Sequence, residues 1–366
     1  MKLIKVPRNP KPYLDVVKLL AIVMVVFNHT GNNGYKMYLD VMDEPLHSLI
    51  MGYSALIKIA VPLFFMASGA LLLKREEPYN KILLKRVLRF VVVLVVVSFI
   101  FYYEAYGLKG DISVRDFFIH LYKNDLTGHL WYLYSYICYM LMLPFLRKLA
   151  QTMRAQDYLL LIIVYQIAQL LPIVDYAIFQ GSAAHTSYIN FFMAANYVVY
   201  PLLGYYIDNQ NLEDEREEIP YVLLFFSILA IALTCALMDW RYGLDGGWTS
   251  KNREAYMGNF TLIPAITVFY AIKRMFAHRT LKKRTANLLF VLGSCTFGVY
   301  LFDPKWRFLA QEIRAMLTPV IGLYFATHVQ VICACIAGIA ATFVYKCISG
   351  GVILLSKRIL HDNSVE

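Results

Sequence analysis

Ten mostly apolar runs, each near the length of a bilayer-crossing helix, divide this chain, at about 13–30, 54–73, 88–106, 130–147, 158–174, 188–207, 220–238, 259–276, 286–303 and 318–347. A helix needs about 20 such residues to cross a hydrocarbon core, and within lipid a helix satisfies its own backbone hydrogen bonds. The runs therefore predict an all-α fold: a polytopic membrane helical bundle with about ten transmembrane helices. Composition agrees, with 59% hydrophobic and 16% charged residues, against about half and a quarter in an average soluble domain. The mean hydropathy is +0.52. These values exclude disorder, a collagen-like repeat and a small disulfide scaffold, and they argue against an ordinary cytosolic enzyme.

Charge sets the expected orientation. The 366 residues carry 35 Lys and Arg against 25 Asp and Glu, a net charge of +10. With both termini cytoplasmic, the inner segments hold Lys2, Lys5, Arg8 and Lys11, then Lys74, Arg75, Lys81, Lys85, Arg86 and Arg89, then Arg147, Lys148 and Arg154, and finally Lys273, Arg274, Arg279, Lys282, Lys283 and Arg284. The outer loops are poorer in basic residues, which is the positive-inside pattern. The acidic inner segment 208–219 departs from it, but acidic residues carry little weight in that rule. The excess charge is thus read as membrane-surface charge on anionic lipids, and no nucleic-acid partner is expected, because no basic face is interleaved with exposed aromatics. The first apolar run has no cleavage site after it and reads as a retained span.

No loop exceeds about 30 residues, too short for a second independent fold. Residues 1–366 are expected to form one integral-membrane domain, with 1–12 and 351–366 as cytoplasmic tails. The outer loops 31–53, 107–129, 175–187 and 239–258 are rich in Tyr, Gly, Asp and Asn, which suits either a polar vestibule or a membrane interface. Cys138, Cys235, Cys295, Cys333, Cys335 and Cys347 all lie in or beside apolar runs. They read as small hydrophobes, with no structural disulfide and no metal site expected.

The first span carries the main chemical signal: Asp15, Lys18 and His29 within or bordering one membrane helix. Ionisable groups are costly in lipid and usually face a bundle interior or a wet cavity. Lys18 and His29 are eleven positions apart. At 3.6 residues per turn that is about three turns plus roughly 20°, so both share one face, separated by about 16 Å. They cannot touch, but they can mark two ends of one slot.

A basic residue, ten intervening residues and a His on the first helix resembles the acyltransferase-3 family of membrane acyltransferases. That family usually has Arg at the first position, where this chain has Lys18. Lys keeps the charge but loses the forked geometry. Further segments resemble the same family in order: Val61 through Ser68-Gly69; Arg86-Val87-Leu88-Arg89; His129-Leu130-Trp131-Tyr132-Leu133 with Pro144 downstream; Tyr200-Pro201-Leu202-Leu203-Gly204-Tyr205; and Ser294 through Tyr300 to Asp303-Pro304. The last of these often ends in His in the family, where this chain has Asp303.

The resemblance implies ten core helices, acyl-CoA as cytoplasmic donor and a hydroxyl-bearing acceptor, often an envelope glycan. The expected activity is O-acetyl transfer from acetyl-CoA, as co-substrate, to an extracytoplasmic or lipid-linked saccharide in the bacterial cytoplasmic membrane. Acyl-CoA phosphates need basic groups at an inner mouth; Lys85, Arg86, Arg89 and the 279–284 cluster read either as those groups or as ordinary inner-loop charge. An alcohol needs a base to attack a thioester, and imidazole titrates in the right range, so His29 is the candidate general base. Lys18 reads either as the local partner of Asp15 or as a group beside the donor's arm. Asp303, His129 and Trp131 map to outer helix ends near the height of His29, and Asp303 is the chemically best group to orient its ring. Trp131 reads as an interface anchor or sugar-stacking surface. Ser68 reads as a slot-lining hydroxyl or a nucleophile, and Tyr300 as a hydrogen-bonding group in the same cavity.

Two other functions remain open on these residues. One is a transporter or flippase-like protein for a polar envelope metabolite. The other is a structural subunit of an envelope-polysaccharide assembly. The chain is expected to act alone, as a homodimer, or with a separate envelope partner.

Overall fold

The computed structural model describes residues 10–41, 44–180, 195–212, 218–277, 279 and 281–362. Among these there is no strand. The helices are α1 (Pro12–Asn28), α2 (Glu44–Ile57), α3 (Ala60–Leu72), α4 (Tyr79–Lys81), α5 (Leu88–Ala105), α6 (Val114–Lys123), α7 (Trp131–Thr152), α8 (Ala155–Phe179), α9 (Asn196–Asn209), α10 (Ile219–Asp245), α11 (Leu262–Ala277), α12 (Lys283–Leu301), α13 (Asp303–Leu309) and α14 (Gln311–Asp362). A π-helical turn, Ile82–Val87, joins α4 to α5.

Every apolar run of the sequence falls on a helix, although the start of the run at 188–207 lies outside the described residues. Four helical stretches are long and apolar enough by themselves to cross a membrane: Pro45–Leu72, Ala155–Phe179, Ile219–Asp245 and Gln311–Ser349. The pair α12–α13, bent by 91°, makes a fifth if counted as one span. The other runs fall short for local reasons. Helix α1 has 17 residues and carries Asp15 and Lys18. Helix α11 has 16 residues, and α7 is diluted by tyrosines, Arg147 and Lys148. Two of the stretches read as outer loops contain helices of their own. In 107–129, Ser113 caps α6 by accepting the Asp116 N–H at 3.3 Å. In 31–53, α2 begins at Glu44.

The most apolar parts of Ala155–Phe179 and Ile219–Asp245 are each only 17% buried, and that of Gln311–Ser349 only 22%, against 67% for Pro45–Leu72. Rows of exposed Leu, Ile and Phe on α8, α10 and α14 are a surface for lipid tails rather than for water. The protein is a membrane protein whose described residues fold into helices and the turns that join them.

The chain packs as two compact units, one formed by Met1–Phe64 with Asn211–Glu366 and the other by Phe65–Gln210. In the first, α1 is the central helix. Its Leu14, Val17, Ala21, Ile22, Val26 and Phe27 are buried, and it packs against α12, α14, α11 and α2. A helix apolar on all sides is stable only when covered on all sides. In the second unit, the end of α3 crosses α9 with no room between backbones. A Cβ on Gly69 would lie 1.9 Å from the Pro201 carbonyl oxygen, and one on Gly204 would lie 2.1 Å from that of Met66. The two glycines let the helices approach to backbone contact, as small residues do where membrane helices pack.

Candidate active site

His29 follows α1 directly. Its backbone has left the helix (φ −87°, ψ 2°), and its N–H still bonds back into the last turn. The imidazole Nδ1 lies 2.9 Å from Oδ2 of Asp303. Asp303 is the first residue of α13, just past the bend from α12, and its side chain is fully buried. The Arg307 Nε, one turn further along α13, lies 3.1 Å from each carboxylate oxygen. A buried carboxylate is tolerated when it is paired and hydrogen-bonded, and Asp303 is both. Accepting the Nδ1–H of His29 leaves Nε2 as the basic nitrogen, the relation that orients the base in hydrolase triads. The sequence marks Asp303 as able to orient His29, and the structure brings them together. The candidates read from the sequence leave Arg307 out, and the signal that could have found it is its i,i+4 spacing from Asp303.

At the other end of α1, Lys18 Nζ lies 2.6 Å from Asp15 Oδ1. Asp15 is 3% exposed. Its carboxylate is pressed against α12, where a Cβ on Gly293 would fall 2.7 Å from Oδ1. The next residue, Ser294, accepts from Lys346 Nζ of α14 at its carbonyl (2.5 Å) and pairs with it at Oγ (2.8 Å). Asp15, Lys18, Ser294 and Lys346 thus form a polar patch where three helices meet. Lys18 on α1 and His29 just past its end make separate pairs.

In the second unit a small pocket of about 170 Å³ is lined by Ser68, Lys85, Arg86, Arg89 and Tyr136, among others. Ser68 Oγ and Tyr136 OH share a hydrogen bond of 3.2 Å. The π-helical turn carries Lys85 and Arg86 into the pocket wall. Such turns add a residue to the helical repeat and redirect side chains.

Arg86 is not an unpaired charge. Its Nε and Nη2 grip the Glu77 carboxylate at 2.9 and 2.8 Å. Arg147 Nη2 reaches the same group at 2.9 Å and Lys81 Nζ at 3.1 Å. Hydrogen bonds from Arg86, joined by those of Arg147 and Lys81 and opposed by burial, hold the Glu77 carboxyl well below the usual glutamate range. Arg147 Nε also caps the end of α3 by donating to the Leu72 carbonyl at 3.0 Å. Glu77 escaped the sequence reading because an acidic residue in a basic inner loop looks incidental.

His129, Trp131 and Tyr300 each sit beside an aromatic ring. His129 is buried and meets the Phe101 ring edge-on at 5.7 Å. Trp131 is 45% exposed, with Tyr132 edge-on beside it. Both belong to the second unit. Tyr300, in the first unit, is 5% exposed and stacks on Phe297. A second basic cavity of about 820 Å³ in the first unit is lined by Lys273, Arg279 and Lys283 with Tyr13 and Phe276.

Beyond the end of α1, Glu254 ties together the segments before and after α2. It receives Lys36 Nζ at 2.5 Å, Lys58 Nζ at 2.9 Å and Tyr35 OH at 3.3 Å. Burial raises the Glu254 carboxyl, but Lys58 and Lys36 outweigh it and bring it to about 2. Among the described residues, no group of three His, Cys, Asp or Glu side chains is placed to hold a metal ion.

No curated protein and no solved structure matches this chain. The sequence profile of the acyltransferase-3 family, described as an acyltransferase domain, matches residues 11–347. That span includes His29, Asp303, Arg307, Ser68 and the Arg86–Arg89 segment. The chain belongs to the acyltransferase-3 family and is a membrane acyltransferase.

Proposed function

We propose that the protein is an O-acetyltransferase of the bacterial cytoplasmic membrane, with about ten spans and both termini inside. Acetyl-CoA enters from the cytoplasm, and the acceptor is a hydroxyl of an extracytoplasmic or lipid-linked glycan. The observation that carries this reading is the 2.9 Å contact between His29 Nδ1 and Asp303 in a chain of acyltransferase ancestry. It supplies a base with a set tautomer at the end of the first span.

In the reaction, His29 Nε2 takes the proton of the acceptor hydroxyl as its oxygen attacks the thioester carbonyl carbon. The tetrahedral intermediate collapses, the carbon–sulfur bond breaks, and the proton goes to the departing thiolate. The products are the acetyl ester and free CoA thiol. Asp303 holds the ring and stabilises the imidazolium, and Arg307 holds Asp303. The donor phosphates are assigned to Lys85, Arg86 and Arg89, with the Lys273–Arg279–Lys283 cavity as the competing site. Lys18, held by Asp15, lies on the donor's path, with Ser68 lining the slot. His129, Trp131 and Tyr300 are assigned to the acceptor side.

The test is acetyl-CoA binding by calorimetry and thiol release with candidate acceptors, on wild type and His29→Ala. Binding by both proteins, with thiol release from wild type alone, is the expected result. Absence of acetyl-CoA binding by folded wild type sinks the reading and leaves a transporter of a polar envelope metabolite or a structural envelope subunit.

A further inference from the structure

Helix α14 is broken at Gly322, whose φ of 79° and ψ of 158° are not helical. A left-handed φ of this kind is open to glycine and costly for other residues. Just after the break, Tyr324 and His328 stand one turn apart. His328 Nδ1 lies 2.8 Å from the Tyr324 carbonyl oxygen. A carbonyl only accepts, so Nδ1 carries a proton, and in the neutral ring Nε2 is the acceptor.

Three aromatic rings surround this imidazole. Phe27 is 4.5 Å away between centroids, Tyr324 4.7 Å and Tyr53 5.4 Å. The two tyrosine rings are 6.3 Å apart. Phe27 is buried and forms the floor, whereas Tyr53, Tyr324 and His328 are partly exposed. The residues come from three helices, α1, α2 and α14, all within the first unit.

The cluster is tied to the surroundings of His29. Phe27 lies two residues before it. Thr327 Oγ1 donates to the Asn33 carbonyl at 2.6 Å. Gln330 Nε2 donates to the Arg307 carbonyl at 2.9 Å, and Arg307 holds Asp303. Residues 327–330 of α14 therefore bridge the loop that follows His29 and the helix that carries its carboxylate.

Three polar atoms of the cluster have no protein partner among the described residues: His328 Nε2, Tyr53 OH and Tyr324 OH. An acceptor nitrogen and two hydroxyls set on aromatic faces match the two sides of a pyranose ring. Its C–H face stacks on the rings and its hydroxyls bond the polar atoms. A lipid chain would cover the rings but leave the three polar atoms unpaired, which is costly once water is excluded.

We propose that Tyr53, Tyr324 and His328, over Phe27, form a pyranose-binding subsite that presents a sugar hydroxyl to His29. The assignment rests on the acetyltransferase reading for its purpose, though not for its binding chemistry. The site takes a hexopyranose ring, with His328 Nε2 accepting from one sugar hydroxyl and the phenols bonding others.

The test uses the full chain in lauryldimethylamine oxide, a detergent without sugar. Saturation-transfer NMR reads binding of the methyl pyranosides of glucose, galactose and mannose. The expected result is transfer to at least one of them in wild type and in His29→Ala, with affinity at least tenfold weaker in His328→Gln and in the Tyr53→Phe/Tyr324→Phe double variant. His328→Gln can still donate to the Tyr324 carbonyl, and the double variant removes only two oxygens, so both are built to fold; a circular-dichroism melt checks this. Absence of transfer from wild type to all three sugars, or unchanged affinity in folded variants, overturns the subsite. Thiol release from acetyl-CoA is measured on the same samples. Sugar binding without thiol release removes the acetyltransferase reading alone, and thiol release without sugar binding removes the subsite alone.

Discussion

His29 and Asp303 are 274 positions apart in the chain, yet Nδ1 and Oδ2 are 2.9 Å apart in space. The contact joins the end of the first helix to the bend between α12 and α13, and Arg307 completes it from one turn further on. Asp303→Asn keeps the size of the side chain and removes its charge. The amide can present N–H to the ring, which favours the tautomer with the proton on Nε2. The expected loss in acceptor-dependent thiol release is about a hundred- to ten-thousand-fold, with acetyl-CoA binding retained. Steady-state kinetics with calorimetry on the same preparation decide it, and unchanged turnover removes Asp303 from the mechanism.

Glu77 makes acid stability testable. Its folded carboxyl sits well below the ordinary glutamate value, chiefly through the Arg86 hydrogen bonds. A depressed folded pKa contributes stability that is fully present above the unfolded value of about 4.3 and is lost as pH falls through the folded one. Glu77→Gln should cost about 3 kcal/mol at pH 7, because it leaves the buried Arg147 without its counter-charge. That gap from wild type should narrow below about pH 4. Thermal melts of both proteins from pH 3 to pH 8 measure it, and a gap independent of pH contradicts the account.

The crossing of α3 and α9 permits no side chain at Gly69 or Gly204. Gly69→Val forces the two backbones apart and should destabilise by at least about 1–3 kcal/mol, the usual range for overpacking. A lower melting temperature, or loss of the monodisperse protein on size exclusion, is the expected readout. A variant that melts with wild type would show that α3 shifts without penalty.

The two basic cavities are the alternative places for the phosphates of the proposed donor. Arg89→Ala should weaken acetyl-CoA binding by roughly tenfold, about 1.5 kcal/mol, as expected for one charge-assisted hydrogen bond to phosphate. Arg279→Ala and Lys283→Ala should leave it unchanged. Calorimetric titration of the three variants distinguishes the sites, and the reverse pattern would move the donor to the larger cavity.

Much of this architecture is legible in the residue order because its cause is local. An apolar run of bilayer length becomes a helix wherever it sits, and Lys18 lies within α1 with His29 directly after its end. The same logic overlooks α6, whose short, half-polar sequence lacks the length that marks a span, and starts the run at 54 although α2 already begins at Glu44. It also leaves Ser68 and Pro201 as members of two separate motifs, although the glycine beside one packs on the carbonyl of the other.

Residue order is enough for the material: a helical membrane chain, an imidazole just after its first helix, and basic residues in its short loops. Those follow from hydropathy, period and charge, which depend on neighbours a few residues away. The tertiary structure alone decided the partners. Asp303 reaches His29 because α12 turns through 91° at that residue. Glu77 gathers Arg86 and Arg147 because the loop after α3 folds back onto α7. Tyr53, Tyr324 and His328 meet over Phe27 because α2 and α14 both pack on α1. Each such contact is set by how helices far apart in the chain pack and bend, a quantity that no local window of residues contains.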